Sequence, residues 1–216
     1  MSESLLRQEL VLTAQQLDQA GLMPVASGNL SVRCGDGFLV TPSGTTVADL
    51  TSESLVWMGF DGQVRGELVP SSEWRFHRDI LLHRPEFNAV VHTHSTFAVT
   101  VACLGWDIPA FHYMVAVAGG DTIRCAPYAT FGTQELSDHA LKALENRKAC
   151  LLAHHGLLAA HTSLTKARQL AHEVELLCEQ YWRVRQMGEA KLLSKEEMAV
   201  VIEKFSSYGQ IRKQQP

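Results

Sequence analysis

The sequence predicts an α/β fold: a three-layer α-β-α sandwich with a central mixed or antiparallel sheet. Short strand-like segments separated by hairpin turns occupy residues 29–60, and two apolar strands that alternate with amphipathic helices follow them. Hairpins favour antiparallel pairing, and alternation with helices places helices on the sheet faces. The chain has 216 residues, 46% of them hydrophobic, with no linker-like tract, so we expect one domain over 1–216.

Each expected element follows from a local pattern. Leucines at helical spacing predict the first helix, and Gly21 fits its C-terminal cap. Gly-Asp-Gly at 35–37 and Asp61-Gly62 mark hairpin turns. A serine N-cap after Pro70, followed by an acid, opens the second helix. Helices are expected at 3–17, 70–82, from 96, 132–146, 164–187 and from 194. Strands are expected at 29–33, 38–41, 55–60, 88–94 and 149–153, with extended segments at 109–113 and 122–125.

Composition argues against several classes of function. The formal net charge is −4 and no basic stripe is present, which disfavours a nucleic-acid partner. The five cysteines are odd in number and include no C-x-x-C pair, a usage that suits reduced thiols. No signal-peptide core or membrane-spanning run is seen, so the expected location is the cytoplasm, without membrane association.

Histidines at the ends of two apolar strands are the strongest chemical signal. His92 and His94 are two residues apart in a strand, so both imidazoles should leave the same face. The second strand ends at His154-His155-Gly156. Three imidazoles with open coordination positions form a catalytic arrangement for a divalent metal, most often zinc. The residues alone do not choose between His154 and His155, and separate core or surface histidines are the plain alternative.

Small hydroxyl residues and glycines suggest an anion pocket near these histidines. The turns 26–30 and 41–44 allow backbone amides to approach a phosphate closely, and Ser71 and Ser72 add hydroxyls at a helix start. Glu73 follows them, and on its own such an acid is usually a capping residue. His77 is expected to be structural. Tyr113 is either a core or interface aromatic or a phenol that moves a proton.

Seven motifs in chain order carry a resemblance to a known family. They are Ser27-Gly-Asn-Leu-Ser-Val-Arg33, Thr41-Pro-Ser-Gly44, Pro70-Ser-Ser-Glu-Trp-Arg-Phe-His77, Val91-His-Thr-His94, His112-Tyr-Met114, Ala126-Pro-Tyr-Ala-Thr-Phe-Gly132 and His154-His-Gly156. Together they resemble the class II aldolase/adducin family over about residues 17–208. The first turn departs from the family pattern: Ala26-Ser27 stands where Thr-Ala is usual, so Ala26 is left out of the pocket.

The resemblance implies an α-β-α sandwich, a homotetramer with active sites between subunits, and one zinc ion per subunit. The implied metal ligands are Glu73, His92, His94 and His155, with Glu73 leaving the metal to act as the base. Tyr113 of a neighbouring subunit would exchange a proton with the substrate hydroxyl. The implied substrate and phosphate contacts are Gly28, Asn29, Ser43, Gly44, Ser71, Ser72, Phe131 and Tyr208.

The function implied by this resemblance is zinc-dependent cleavage of a small phosphorylated sugar, a ketose 1-phosphate, to dihydroxyacetone phosphate and an aldehyde. L-Fuculose 1-phosphate, giving lactaldehyde, is the expected substrate. A 5-deoxypentulose-phosphate aldolase, a sugar-acid phosphate decarboxylase and a pentulose-phosphate 4-epimerase are the alternatives. The epimerases typically carry aspartate at the position of Glu73, which counts against them, and a non-catalytic adducin-like module would lack the full metal set.

Overall fold

The computed structural model describes residues 2–207, which form six α-helices and eight strands. The helices are α1 (Glu3–Gln19), α2 (Trp74–His83), α3 (Thr96–Ala102), α4 (Gln134–Ala143), α5 (Leu164–Met187) and α6 (Lys195–Ser207). The strands are β1 (Asn29–Cys34), β2 (Gly37–Val40), β3 (Val56–Gly59), β4 (Val64–Arg65), β5 (Ala89–Thr93), β6 (Cys125–Ala126), β7 (Ala149–Leu152) and β8 (Gly156–His161). Short 3-10 helices lie at Pro24–Ala26, Val47–Asp49 and Tyr113–Ala118.

All eight strands belong to one mixed sheet in the order β4-β3-β2-β1-β5-β8-β7-β6. Every pairing is antiparallel except that of β6 with β7. β5 lies between β1 and β8, so Asn29 is paired with His92, and Leu157 with Thr93. The centre of the sheet therefore places β1, β5 and the β7–β8 turn next to one another.

Two apolar cores, one on each face of the sheet, make the fold three layers thick. Alternate residues of one strand supply opposite cores, as Val91 and Val90 of β5 do. One core packs against α1 and α5, and the other against α2 and α4. The predicted three-layer α-β-α sandwich with a mixed sheet is confirmed.

The structure corrects several expected elements. The second helix begins at Trp74 rather than at Pro70, and Tyr113 starts a 3-10 helix instead of ending an extended segment. Strands β4 and β8 were not predicted. β8 reads Gly-Leu-Leu-Ala-Ala-His, which lacks both the alternation and the β-branched residues that signal a strand. β8 is extended because it pairs with β5 on one side and with β7 on the other.

No helix among residues 2–207 has the length and apolar character needed to cross a membrane. None of the five cysteines forms a disulfide in the structure. Cys150 and Cys178 are buried, whereas Cys103 is exposed.

Asp79 joins the two helices on one face of the sheet and should make stability depend on pH. Its buried carboxylate accepts hydrogen bonds from Arg78 of the same helix and from Gln134 and Ser137 of α4. Burial alone would raise the pKa of Asp79, but these hydrogen bonds and the Arg78 charge hold the pKa below its usual value. The carboxylate therefore stabilises the fold above the unfolded-state pKa, and this contribution is lost as the pH falls through the folded-state pKa.

Replacing Asp79 by asparagine should lower the free energy of unfolding at pH 7 by about 1.5–3 kcal/mol, the range for hydrogen bonds to charged groups. Urea unfolding of metal-free wild type and variant, followed at pH 7 and at several lower values, measures the difference. The gap between the two proteins should narrow as the pH falls below about 4. A gap that stayed constant with pH would show that the carboxylate charge contributes nothing.

Candidate metal and substrate site

Three imidazoles meet where β5 ends beside the β7–β8 turn. His92 is the fourth residue of β5, His94 follows the strand directly, and His155 precedes β8. The Nε2 atoms of His92 and His94 lie 2.9 Å apart, and each pair of the three rings has a centroid distance of 4.8 Å. His92 Nδ1 donates to the carbonyl of Leu157 at 2.9 Å, so its Nε2 carries the free lone pair. The sheet thus presents converging nitrogen lone pairs.

Glu73 completes this group from the opposite direction. It occupies the N-cap position of α2, yet its carboxylate makes no capping hydrogen bond. Instead Oε2 lies 3.2 Å from His92 Nε2 and Oε1 lies 3.2 Å from His155 Nε2. The expected serine cap is therefore wrong in detail, since the Ser71 hydroxyl accepts from the Glu73 amide just before the helix begins. The carboxylate is directed at the imidazoles rather than along the helix axis.

The donor set fits a divalent metal. One oxygen or nitrogen from each of Glu73, His92, His94 and His155 falls within 4.8 Å of all the others. Ligand atoms bound at about 2.0–2.1 Å to a tetrahedral zinc ion lie about 3.3 Å apart, close to the three separations given above. Glu73 Oε1 is also buried and lacks a hydrogen-bond partner within the described residues, as expected for an atom whose natural partner is a cation.

Burial sets the protonation states that a metal requires. Burial, together with the neighbouring His92, lowers the pKa of His94 to about 3 and that of His155 to about 4. Both are neutral at pH 7 and can act as ligands. Burial alone would raise the pKa of Glu73, but His92, His155 and the Asn29 amide hold the pKa well below its usual range. The carboxylate is therefore ionised.

Two glycines allow the backbone to close around this cluster. Gly28 has φ +94°, and a Cβ there would lie 2.6 Å from the carbonyl oxygen of His92. A Cβ on Gly156 would lie 2.3 Å from the carbonyl oxygen of Thr93 and 3.2 Å from the His94 ring. The two distances to carbonyl oxygens are shorter than a carbon–oxygen contact allows. The start of β1 and the β7–β8 turn can therefore approach β5 only because Gly28 and Gly156 lack side chains.

A cavity of about 370 Å³ opens beside the cluster, and Glu73, His94 and His155 form part of its wall. The proposed phosphate contacts share this wall. They are Gly28, Asn29, Ser43, Gly44, Ser71 and Ser72, and Phe131 also lines the cavity. Ser27 lines it too, although its hydroxyl donates to the carbonyl of Pro24. The three segments predicted to form a clamp thus surround one space.

The model of the Class II Aldolase and Adducin N-terminal domain family matches residues 8–182 of the chain. The chain belongs to this family. Class II aldolases depend on a metal, and the cluster of one carboxylate and three imidazoles is this chain's candidate for holding one.

Relatives over nearly the whole length are sugar-phosphate aldolases. The chain is 56% identical over 204 residues to the 5-methylthioribulose-1-phosphate/5-deoxyribulose-1-phosphate aldolase of Rhodospirillum rubrum, covering 94% of this chain and 92% of that protein. It is 47% identical over 210 residues to the L-fuculose phosphate aldolase of Escherichia coli, covering 97% and 98%. A solved L-fuculose 1-phosphate aldolase superposes with a TM-score of 0.90 at 40% identity, covering 93% of this chain and 96% of that one.

Of the remaining predicted site residues, one lies away from the cavity wall and the other falls outside the described residues. Tyr113 is 50% exposed and is absent from the cavity wall of its own chain. Tyr208 lies outside the described residues. His154 is not in the ligand group: it lies exposed in the β7–β8 turn with φ +57°, and its ring forms a T-shaped pair with that of Tyr128. The structure brings His155, not His154, to the cluster because this pair lies in a turn and not in a strand.

Sequence reasoning missed other residues around the site. Tyr128 lines the cavity and was not predicted, although it lies within the quoted motif at 126–132; His154, the alternative metal ligand, also lines the cavity. His77 was taken as structural, and it is indeed fully buried, but it contacts Asn29, a residue of the cavity wall. No spacing rule connects these two residues, which are 48 positions apart in the chain.

Proposed function

We propose that the chain is a zinc-dependent aldolase that reversibly cleaves a 5-deoxy- or 5-methylthio-pentulose 1-phosphate to dihydroxyacetone phosphate and an aldehyde. The observation that carries the proposal is that the candidate metal ligands lie beside a cavity lined by serine, threonine and glycine residues. These ligands are Glu73, His92, His94 and His155. The 56% identity to the Rhodospirillum rubrum enzyme favours this substrate class. L-Fuculose 1-phosphate is the second candidate, favoured by 47% identity to the Escherichia coli enzyme and by the fold match.

Substrate binding follows from the cavity wall. The turns at 27–29 and 43–45 and the segment before α2 offer backbone amides and the hydroxyls of Ser43, Ser71 and Ser72, which suit a phosphate dianion. Anchoring the phosphate there would place the other end of a short ketose beside Glu73.

The reaction moves one proton overall. Breaking the C3–C4 bond requires removal of the C4 hydroxyl proton, and the electron pair left on C3 must then accept a proton to give dihydroxyacetone phosphate. A metal ion bound by the three histidines would supply Lewis-acid stabilisation of this charge. Glu73, the carboxylate beside the cavity, would return the proton to C3 and remove it in the reverse direction.

We also infer that Tyr113 acts on the C4 hydroxyl from a neighbouring subunit of a homotetramer. Support comes from its exposure and from its absence from the cavity wall of its own chain. Light scattering in solution tests the assembly: a mass four times that of the chain is expected, and a monomer would refute this role for Tyr113.

The decisive experiment is a cleavage assay on zinc-loaded protein that follows dihydroxyacetone phosphate. The substrates are 5-deoxyribulose 1-phosphate, 5-methylthioribulose 1-phosphate and L-fuculose 1-phosphate, and a chelator-treated sample is the control. Zinc-dependent release that is fastest with either pentulose is the expected result. Fastest release from L-fuculose 1-phosphate would transfer the assignment to the second candidate. Failure with all three would overturn the aldolase proposal.

A further inference from the structure

A buried chain of hydrogen bonds runs from Glu73 to the central strand β1. Asn29 Nδ2 donates to Glu73 Oε2 at 2.9 Å. Asn29 Oδ1 lies 2.6 Å from His77 Nε2, and His77 Nδ1 lies 2.7 Å from Ser31 Oγ. All four side chains are buried, and that of His77 is fully enclosed. No water is needed to complete the chain.

The Asn29 amide fixes the direction of every hydrogen bond in this chain, with Nδ2 facing Glu73 and Oδ1 facing His77. A carboxylate only accepts, so Asn29 must present its amino group to Glu73 and its carbonyl oxygen to His77. An amide oxygen also only accepts, so His77 must carry its proton on Nε2. Its Nδ1 then accepts from the Ser31 hydroxyl. Hydrogen bonds aligned in one direction polarise and strengthen one another.

We propose that His77 is a positioning residue that acts through Asn29 to hold the catalytic carboxylate of Glu73, an inference that rests on the proposed function. The His77 proton prevents the Asn29 amide from turning over, because a turned amide would place two hydrogen-bond donors face to face and an amide oxygen against a carboxylate. Oε2 of Glu73 is thereby held, while Oε1, which has no hydrogen-bond partner within the described residues, remains directed at the ligand cluster. The same contact fixes Asn29 at the cavity wall.

Two substitutions of His77 separate positioning from packing. The amide nitrogen of a glutamine can take the place of Nε2 and donate to Asn29, whereas that of an asparagine takes the place of Nδ1 and reaches only towards Ser31. Both remove ring volume from the same site. His77→Asn should lower two rates by about 100-fold: kcat for cleavage and the rate of C3 proton exchange in dihydroxyacetone phosphate. This is the upper end of the range for residues that orient ligands in a site. His77→Gln should restore both rates to within about tenfold of wild type.

Three further measurements make the result decisive. Zinc content at saturating zinc should match that of wild type in both variants, because the three histidine ligands are unchanged, and thermal unfolding should shift similarly in both. Crystal structures should show Asn29 or Glu73 displaced in His77→Asn and in place in His77→Gln. If the two variants lost activity equally, in proportion to their loss of stability, the inference would be overturned and His77 would be a packing residue. If wild-type protein cleaves none of the ketose 1-phosphates, the proposed function fails, and the side-chain positions in the two crystal structures still decide the role of His77.

Discussion

Replacing Glu73 by glutamine should slow proton exchange at C3 of dihydroxyacetone phosphate by at least about 100-fold while most of the zinc stays bound. The amide has the shape of the carboxylate but cannot take up a proton, so the loss should fall in the range of about 10²- to 10⁴-fold that general bases contribute. The three histidines remain, and three protein ligands suffice for a catalytic zinc ion. Exchange is measured by loss of deuterium or tritium from labelled dihydroxyacetone phosphate, and zinc by elemental analysis.

The surface carboxylate Glu86 offers a matched control, because Glu86→Gln makes the same chemical change at a residue that does not line the cavity and that forms an ion pair with Arg84. That variant should exchange the proton at the wild-type rate. An unchanged exchange rate in Glu73→Gln would exclude Glu73 as the base. Loss of zinc together with exchange would instead mean that the carboxylate serves mainly as a ligand.

The sequence predicted correctly those strands and helices whose own residue pattern favours the same conformation that packing in the folded protein requires. β5 combines β-branched apolar residues with burial on both faces, and α5 repeats its apolar residues at helical spacing with Ser163 as its N-cap. β8 has no such agreement, since its leucines and alanines suit a helix equally well. Its conformation is determined by two neighbouring strands, which is information that no local window contains.

The same division applies to the site. Spacing alone indicated that His92 and His94 share a face, and both belong to one cluster, although β5 ends at Thr93, one residue before His94. Choosing between His154 and His155 required the turn between β7 and β8, where His154 adopts a left-handed conformation. The link from His77 to Glu73 depends on β1 lying beside β5 and under α2. Such contacts between distant segments follow from topology and not from residue type.

Replacing His94 by asparagine should cost the protein its metal. The shorter amide is a poor zinc ligand and leaves two imidazoles and Glu73, so we expect the affinity for zinc to fall by more than the roughly 100-fold upper limit for residues that only support a ligand. His94 is partly exposed at the cavity wall, so the substitution spares the core. Dialysis against a weak chelator followed by elemental analysis should find zinc in the wild type and little in the variant.

His154→Asn is the control for this experiment. His154 is the chain neighbour of the ligand His155, but it lies outside the ligand group. The variant should retain full zinc content. Thermal unfolding gives a second readout: a ligand that binds only the native state stabilises it, and a 100-fold loss of affinity removes about 2.7 kcal/mol at a fixed excess of metal. Added zinc should therefore raise the unfolding temperature of the wild type and of His154→Asn but barely change that of His94→Asn. Full zinc occupancy in His94→Asn would reject His94 as a ligand, and equal zinc loss in His154→Asn would place the metal elsewhere on this turn.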